Sequence, residues 1–181
     1  MKTAIKTLIA SSLTAIVLTS SAFSTFAKDT NPVTATAATV KFNKVVVTGN
    51  AKVVLVQAKS ESITTNEELT ANTTVQQKGY TLYINSTEQS PATIYISVKD
   101  LQRIDAANTA EVKTSGKFDL AVLQIFLKDG AKANVNAKVG SLYTDMKDQS
   151  DLKLSGSSAE HNLVRNDVSK LNLNDFVIAK L

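Results

Sequence analysis

One apolar template returns at a nearly constant interval between Leu101 and Leu173, and it constrains the fold more than any other feature of the sequence. Its anchors are Val112, Val135, Leu154 and Leu173, which are separated by 23, 19 and 19 residues. An apolar residue stands two positions before each anchor, and a polar turn precedes that pair. A fixed interval of about this size is typical of stacked repeat architectures.

The segments between the anchors predict turns followed by short strands. We place the turns at residues 105–109, 128–132, 147–151 and 166–170, which are rich in Asp, Asn, Ser and Lys. These side chains stabilise turns by bonding to the nearby backbone. After each turn apolar and polar residues alternate, as in Ala133-Asn134-Val135-Asn136, which indicates a half-buried strand. Each unit is too short to bury its own apolar face, so the units are expected to stack.

We therefore predict an all-β, single-domain, right-handed β-helix or β-solenoid-like stack with about 19–23 residues per rung. The alternative is an antiparallel β-sandwich whose strands are evenly spaced. Residues 63–98 lack the template. They contain a hairpin signal at Lys78-Gly79 and are expected to form an antiparallel sheet or a cap at one end of the stack.

Residues 1–27 have the order of a secretory signal peptide. Lys2 and Lys6 precede the apolar run 7–18, and Thr25 and Ala27 occupy the positions that a signal peptidase favours. We predict that the mature chain starts at Lys28, with a flexible lead-in at 28–39 and the β domain at 40–181. The protein is then exported to the periplasm, the cell surface or the extracellular space.

Composition excludes several classes of protein. Without the first 27 residues the chain has 18 basic and 16 acidic residues, a net charge of +2, and no Lys/Arg run that would follow a phosphate backbone. Nucleic acid is therefore not expected as a partner. The chain has no cysteine, so it is neither a disulfide-stapled protein nor a lipoprotein anchored through cysteine. No integral membrane span is predicted for the mature chain.

The sequence offers no persuasive catalytic or metal site. His161 is the only histidine, and we expect it in an exposed turn at residues 157–162. Asp145, Asp148 and Asp151 surround a turn, but calcium needs several oxygen ligands that converge on one point. The same three acids would have to be paired in a groove to cleave a polysaccharide. We therefore predict no enzymatic activity, no cofactor and no bound metal.

Four residues are candidates for ligand contact. Tyr83 and Tyr95 are expected to face outward from neighbouring strands, where aromatic rings can stack on sugars or simply on each other. Asn134 and Lys153 belong to a predicted outward-facing polar ladder, which is either a binding strip or a solvated strand surface. The full ladder is Lys113, Asn134, Asn136, Lys153, Asn172 and Asn174.

The first strong element has the pattern Phe42-x-x-Val45-x-Val47-x-Gly49-Asn50-Ala51-Lys52-Val53-x-Leu55-x-Gln57. This pattern resembles the opening of the head GIN domain family of secreted, adhesin-like bacterial proteins, and residues 79–84 and 101–106 also resemble segments of that family. The resemblance covers about residues 40–178 and implies a β-helix-like domain with no established enzymatic activity. The family tends to carry Ser-Gly at each turn, whereas here only Thr48-Gly49 keeps that form, so the later turns are expected to be wider.

Two functions remain open from the sequence. The first is a secreted or cell-envelope, non-catalytic β domain that binds a surface polymer, a partner protein or an envelope component, as an adhesin does. The second is a polysaccharide-acting enzyme built on a β-solenoid. The second requires clustered carboxylates, for which the three aspartates offer only proximity in sequence, so we favour the first.

Overall fold

The computed structural model describes residues 41–166 and 168–179. Within this range the regular structure is entirely β, which confirms the prediction of an all-β fold. The proposed signal peptide and lead-in lie outside the described residues. The strands are β1 (Lys44–Gly49), β2 (Lys52–Gln57), β3 (Ser62–Thr65), β4 (Thr73–Lys78), β5 (Thr81–Ser86), β6 (Thr93–Val98), β7 (Arg103–Ala106), β8 (Glu111–Ser115), β9 (Phe118–Leu127), β10 (Lys132–Met146), β11 (Asp151–Arg165) and β12 (Lys170–Ile178).

The strands form one continuous sheet that is folded over on itself. The order is β3-β6-β2-β8-β10-β9-β7-β1-β5-β4, and β11 and β12 follow beyond β10. Strand β10 joins the two halves, because its residues 132–134 pair with β8 and its residues 137–146 pair with β9. We call the half with β6, β2 and β8 the first wing, and the half with β5, β1, β7 and β9 the second wing.

Most neighbouring strands are parallel and in register, so equivalent side chains of successive strands form columns. We call each strand of such a series a layer. Val53 lies opposite Val112, and Ala133 lies opposite both Val112 and Leu152. Among the described strands, β3–β6 and β4–β5 are the antiparallel pairs. They lie at the two ends of the strand order, and the predicted β4–β5 hairpin is present, with its turn at Gly79-Tyr80, one residue later than the Lys78-Gly79 signal.

The inward-facing residues of both wings belong to one hydrophobic core. Val45 and Ile104 of the second wing and Leu55 and Ile96 of the first wing are fully buried in the same cluster. Burying a side chain of this size stabilises the fold by about 1.5–3 kcal/mol. Because each strand alternates between core and solvent, its other face is left for contacts outside the domain.

The turns between the later strands fall where the sequence predicts them, and their side chains form a ladder. Asn108, Asp129 and Asp148 all have positive φ, at 62°, 59° and 55°, and stand at equivalent positions of successive turns. The main-chain N–H of Gly49 donates to Asn108 Oδ1 at 3.1 Å, and that of Asn108 donates to Asp129 Oδ2 at 2.9 Å. Asn and Asp tolerate the left-handed conformation better than other residues with a side chain. We call these three residues the turn ladder.

The structure corrects the alignment of the first repeat. The sequence pattern matched Val112 with Val135, but the residue opposite Val112 is Ala133. The main-chain N–H of Lys132 donates to the carbonyl oxygen of Ala110, which agrees with this register. The step between these layers is 21 residues, as the Asn108–Asp129 bond also shows. The match of Val135 with Leu154 is confirmed. Leu173 misses an exact match to Leu154 because the β11–β12 register shifts between Lys153 and Ser155.

Candidate functional site

The outer face of the first wing carries a regular line of lysines. Strands β2, β8, β10, β11 and β12 are consecutive neighbours in the sheet, and each contributes one exposed lysine to this face. We call this surface the lysine face. Its lysines are Lys52, Lys113, Lys132, Lys153 and Lys170.

The lysines alternate between two adjacent columns, so they form a zigzag. In the first column Lys52 lies opposite Glu111, which lies opposite Lys132. Next come Asp151 and Lys170, which continue the alternation of sign. Neighbouring strands of a sheet lie about 4.8 Å apart, and the two columns, which are two residues apart along each strand, are separated by about 6.7 Å.

The second column of the lysine face mixes aromatic, apolar, basic and amide side chains. Its members, in stacking order, are Tyr95, Val54, Lys113, Asn134, Lys153 and Asn172. Apart from Tyr95 and Lys170, the residues of the two columns line a shallow groove of about 470 Å³. The groove is open and runs across neighbouring strands, so it fits an extended ligand better than a small molecule that needs an enclosed pocket.

Three of the four predicted ligand-contact residues share this column. Tyr95, Asn134 and Lys153 all face solvent on the first wing, and Tyr95 is 40% exposed. Tyr83 faces outward as well, at 42% exposure, but it lies opposite Val46 on the second wing. The expectation that Tyr83 and Tyr95 lie on neighbouring strands is therefore wrong, because β5 pairs with β1 whereas β6 pairs with β2.

The outer face of the second wing is different, because its charged and aromatic groups satisfy one another. Asp105 accepts from Arg103 Nε at 2.6 Å and pairs with Lys44 Nζ at 2.8 Å. The guanidinium of Arg103 lies 3.9 Å from the ring centroid of Phe126, a cation–π contact. The rings of Phe126 and Tyr143 are 5.5 Å apart. A ligand would have to displace these contacts to bind here.

The structure separates the three aspartates that the sequence placed near one turn. Asp145 faces outward on β10, where Lys147 Nζ lies 3.6 Å from its Oδ2; its Oδ1 is buried with no hydrogen-bond partner among the described residues. Asp148 belongs to the turn ladder, and Asp151 lies on the lysine face. Across residues 41–166 and 168–179, no group of three His, Cys, Asp or Glu side chains is arranged to hold a metal ion.

His161 lies in β11 rather than in an exposed turn, which corrects the sequence prediction. It stands opposite the buried Leu142, and its Nε2 is 2.9 Å from the hydroxyl of Thr144. The ring of Phe176 packs edge-on against it, with centroids 5.9 Å apart. Burial lowers the pKa of His161 from its ordinary value. These contacts give His161 a structural role between β10 and β12.

The sequence reading missed the zigzag of lysines. It included Lys113 and Lys153 in the polar ladder but left out Lys52, Lys132 and Lys170, which belong to the neighbouring column. The signal available in the sequence was a lysine within the first three residues of each of the five strands of the lysine face. That signal becomes meaningful only when the register of the layers is known.

The fold and its outer faces define a class: an all-β domain of in-register parallel layers with broad, solvent-facing strand surfaces. The chain belongs to the family described as "Putative auto-transporter adhesin, head GIN domain", whose model matches residues 41–181. The resemblance seen in the sequence is thereby confirmed. No curated protein gives a significant match.

Solved structures of three bacterial proteins are similar in fold. One is described as a putative adhesin from Bacteroides fragilis, with a TM-score of 0.65 and 16% identity, and the match covers 82% of this chain and 73% of that one. Another is described as a putative adhesin from Parabacteroides merdae, with a TM-score of 0.55, 14% identity and coverage of 81% and 73%. A third is described as a putative lipid binding protein from Parabacteroides distasonis, with a TM-score of 0.54, 11% identity and coverage of 75% and 71%.

Proposed function

We propose that this protein is an exported, non-catalytic, adhesin-like domain that binds an extended polymer of the cell envelope or surroundings through the lysine face. The observation that carries the proposal is the exposed column of the lysine face, in which Tyr95 is followed, after Val54 and Lys113, by Asn134 and Lys153. It presents an aromatic ring, an amide and an ammonium group, which together suit the ring faces and hydroxyls of a glycan.

The family and the fold support this proposal. The family description and two of the similar structures name adhesins, which act by binding. We further infer that the domain is a β-solenoid. In the parallel strand pairs Ala133 lies opposite Leu152, and Leu152 lies opposite Leu171. The turn ladder aligns the turns that precede these strands. A stacked coil presents repeated, nearly equivalent surfaces, and such surfaces suit repeating ligands.

An enzyme acting on polysaccharides receives less support. Glycoside hydrolysis needs two carboxyl groups on either side of one bond, about 5–9.5 Å apart. Here Asp145 lies on the second wing, Asp148 lies in a turn and Asp151 lies on the lysine face. Glu111 and Asp151 do share the lysine face, but Lys132 lies between them in the same column.

Export is the second part of the proposal, and it rests on residues 1–27. In the part of the chain that the structure describes, no helix is long and apolar enough to cross a membrane. Cell fractionation followed by amino-terminal sequencing tests export. We expect the protein outside the cytoplasm with Lys28 as its first residue. An exported protein that retains Met1 would refute the cleavage, and a purely cytoplasmic protein would refute the localisation.

Binding is tested with an array of immobilised glycans and polysaccharides. Two similarly exposed tyrosines give a matched pair, because Tyr95 lies on the lysine face and Tyr83 lies on the second wing. We expect Tyr95→Ala to weaken binding and Tyr83→Ala to leave it unchanged. A tyrosine that anchors an interface costs more than about 1 kcal/mol when it is truncated, which sets the scale for the loss. Equal loss in both variants would show that the lysine face is not the site.

A further inference from the structure

We infer that the lysine face binds an acidic polysaccharide, whose carboxylates follow the zigzag of lysines along the stack. This inference rests on the proposed function and adds the chemical class of the ligand. The five lysines of the face outnumber its two acids, Glu111 and Asp151, so the surface has a net charge of +3. The whole mature chain carries only +2. Positive charge is therefore concentrated on this face.

The ammonium groups of the lysine face are available to a ligand. Within the described residues, ion pairs link Lys44 and Arg103 to Asp105, Lys138 to Asp119, and Lys147 to Asp145. No lysine of the lysine face takes part in one. On the second wing, by contrast, each basic group of the Arg103 cluster already has a carboxylate partner. A polyanion would gain new charge-assisted hydrogen bonds on the lysine face without breaking existing ones.

The spacing of the lysines favours a polymer over a small anion. One lysine per layer at about 4.8 Å spreads five charges over about 19 Å. No two of them stand at neighbouring positions of one column, since Glu111, Asn134 and Asp151 intervene. A single small anion would therefore reach few of these groups. A chain with a carboxylate at each repeat can satisfy them in succession, which raises affinity by multivalency.

The remaining side chains of the face favour a polysaccharide over a nucleic acid. Glu111 and Asp151 can accept hydrogen bonds from sugar hydroxyls, whereas phosphates spaced more closely than the lysines would fall opposite these two acids and be repelled. Asn134 and Asn172 offer both donors and acceptors to hydroxyl groups. Duplex DNA carries one charge per about 1.7 Å, far denser than this lysine spacing.

The experiment measures binding of the protein, purified as it is exported, to polygalacturonate, to neutral dextran and to single-stranded DNA, by biolayer interferometry at several salt concentrations. The test variant is Lys113→Gln/Lys153→Gln. The control is Lys59→Gln/Lys99→Gln, which removes the same charge from exposed lysines outside the face. A third variant, Lys113→Arg/Lys153→Arg, keeps the charge.

We expect polygalacturonate to bind in a salt-sensitive manner, with little binding of dextran or DNA. The test variant should bind about tenfold more weakly and show a smaller salt dependence. The control and the Arg variant should bind like the parent. Absence of polygalacturonate binding, an equal loss in the control, or tighter binding of DNA would overturn the inference. If a neutral glycan instead binds and is lost with Tyr95→Ala, the proposed function stands while the acidic ligand is refuted.

Discussion

The carboxylate of Asp148 accepts a hydrogen bond from the main-chain N–H of Asp129 at 3.1 Å, across 19 residues of sequence. Asp129 in turn accepts from Asn108, and Asn108 accepts from Gly49, whose φ is also positive at 70°. Each turn is thus tied to the next by a side chain that also tolerates the left-handed backbone. The ladder fixes how one layer lies over another.

The turn ladder predicts an order of stability among variants of Asp148. Asp148→Asn keeps both an acceptor oxygen and tolerance of positive φ, so it should be nearly neutral. Asp148→Gly loses the acceptor only, and Asp148→Ala loses both. We expect the alanine variant to cost about 1–2 kcal/mol in urea unfolding, with glycine between the two. The neighbouring Gln149→Ala serves as the control. Equal stability of the alanine and asparagine variants would show that the ladder contributes nothing.

Adjacent residues of β11 should differ sharply in tolerance. Leu154 is fully buried, whereas Lys153 faces solvent. Leu154→Asp places a carboxylate without a partner in the core, so we expect a loss of about 3–5 kcal/mol in the free energy of unfolding. Lys153→Asp should change stability by about 0.5 kcal/mol or less. Similar losses at both positions would contradict the orientation of the strand.

Close packing of the layers makes Gly156 a sensitive position. Its φ is +102°, and a Cβ there would stand 2.1 Å from the carbonyl oxygen of Ala137 in the layer before it. Gly116, with φ of +80°, has open space around it and provides the control. Gly116→Ala should cost about 1–2 kcal/mol for its backbone alone. Gly156→Ala should cost clearly more, because the main chain of the neighbouring layer must also move. Thermal unfolding of both variants measures the difference, and equal melting temperatures would exclude this contact.

The partly buried position of His161 predicts a pH dependence of stability. Because burial lowers its pKa, the unfolded chain binds a proton more readily than the folded chain. The contribution of the neutral ring is complete above about pH 6.5 and is lost as the pH falls toward the lower, folded-state pKa. His161→Gln should remove this part of the pH dependence between about pH 7.5 and pH 5. Parallel stability–pH curves for the parent and the variant would contradict the prediction.

The turns could be predicted from the sequence because their signals are local. Strands β8, β10, β11 and β12 begin immediately after the clusters of Asp, Asn, Ser and Lys. The register of the first repeat could not be predicted in the same way. A period of two looks the same after a slip of two residues, so Val112 matched Val135 as well as its true partner, Ala133. The turn ladder, rather than the apolar pattern, selects between these registers.

The candidate site was only partly accessible to sequence reasoning. Asn134 and Lys153 were identified because each follows a turn at the same distance. Tyr83 and Tyr95 lie in strands that follow one another along the chain, but tertiary pairing sends them to different wings. His161 lies in a Ser-rich segment typical of a turn, and its pairing with β10 overrides that local preference. Both errors come from contacts between layers, which no local pattern contains.

The two ends of the turn ladder are held by hydrogen bonds that span very different lengths of the chain. Asp129 and Asp148 are 19 residues apart, whereas Gly49 and Asn108 are 59 residues apart, because β3 to β6 intervene between β2 and β7. Closing the longer loop costs about 1 kcal/mol more in chain entropy. The carboxy-terminal layers should therefore assemble first, and β1 and β2 should join a template that already exists. During synthesis β1 and β2, although they are made first, would reach their native pairing only after the carboxy-terminal strands have been made.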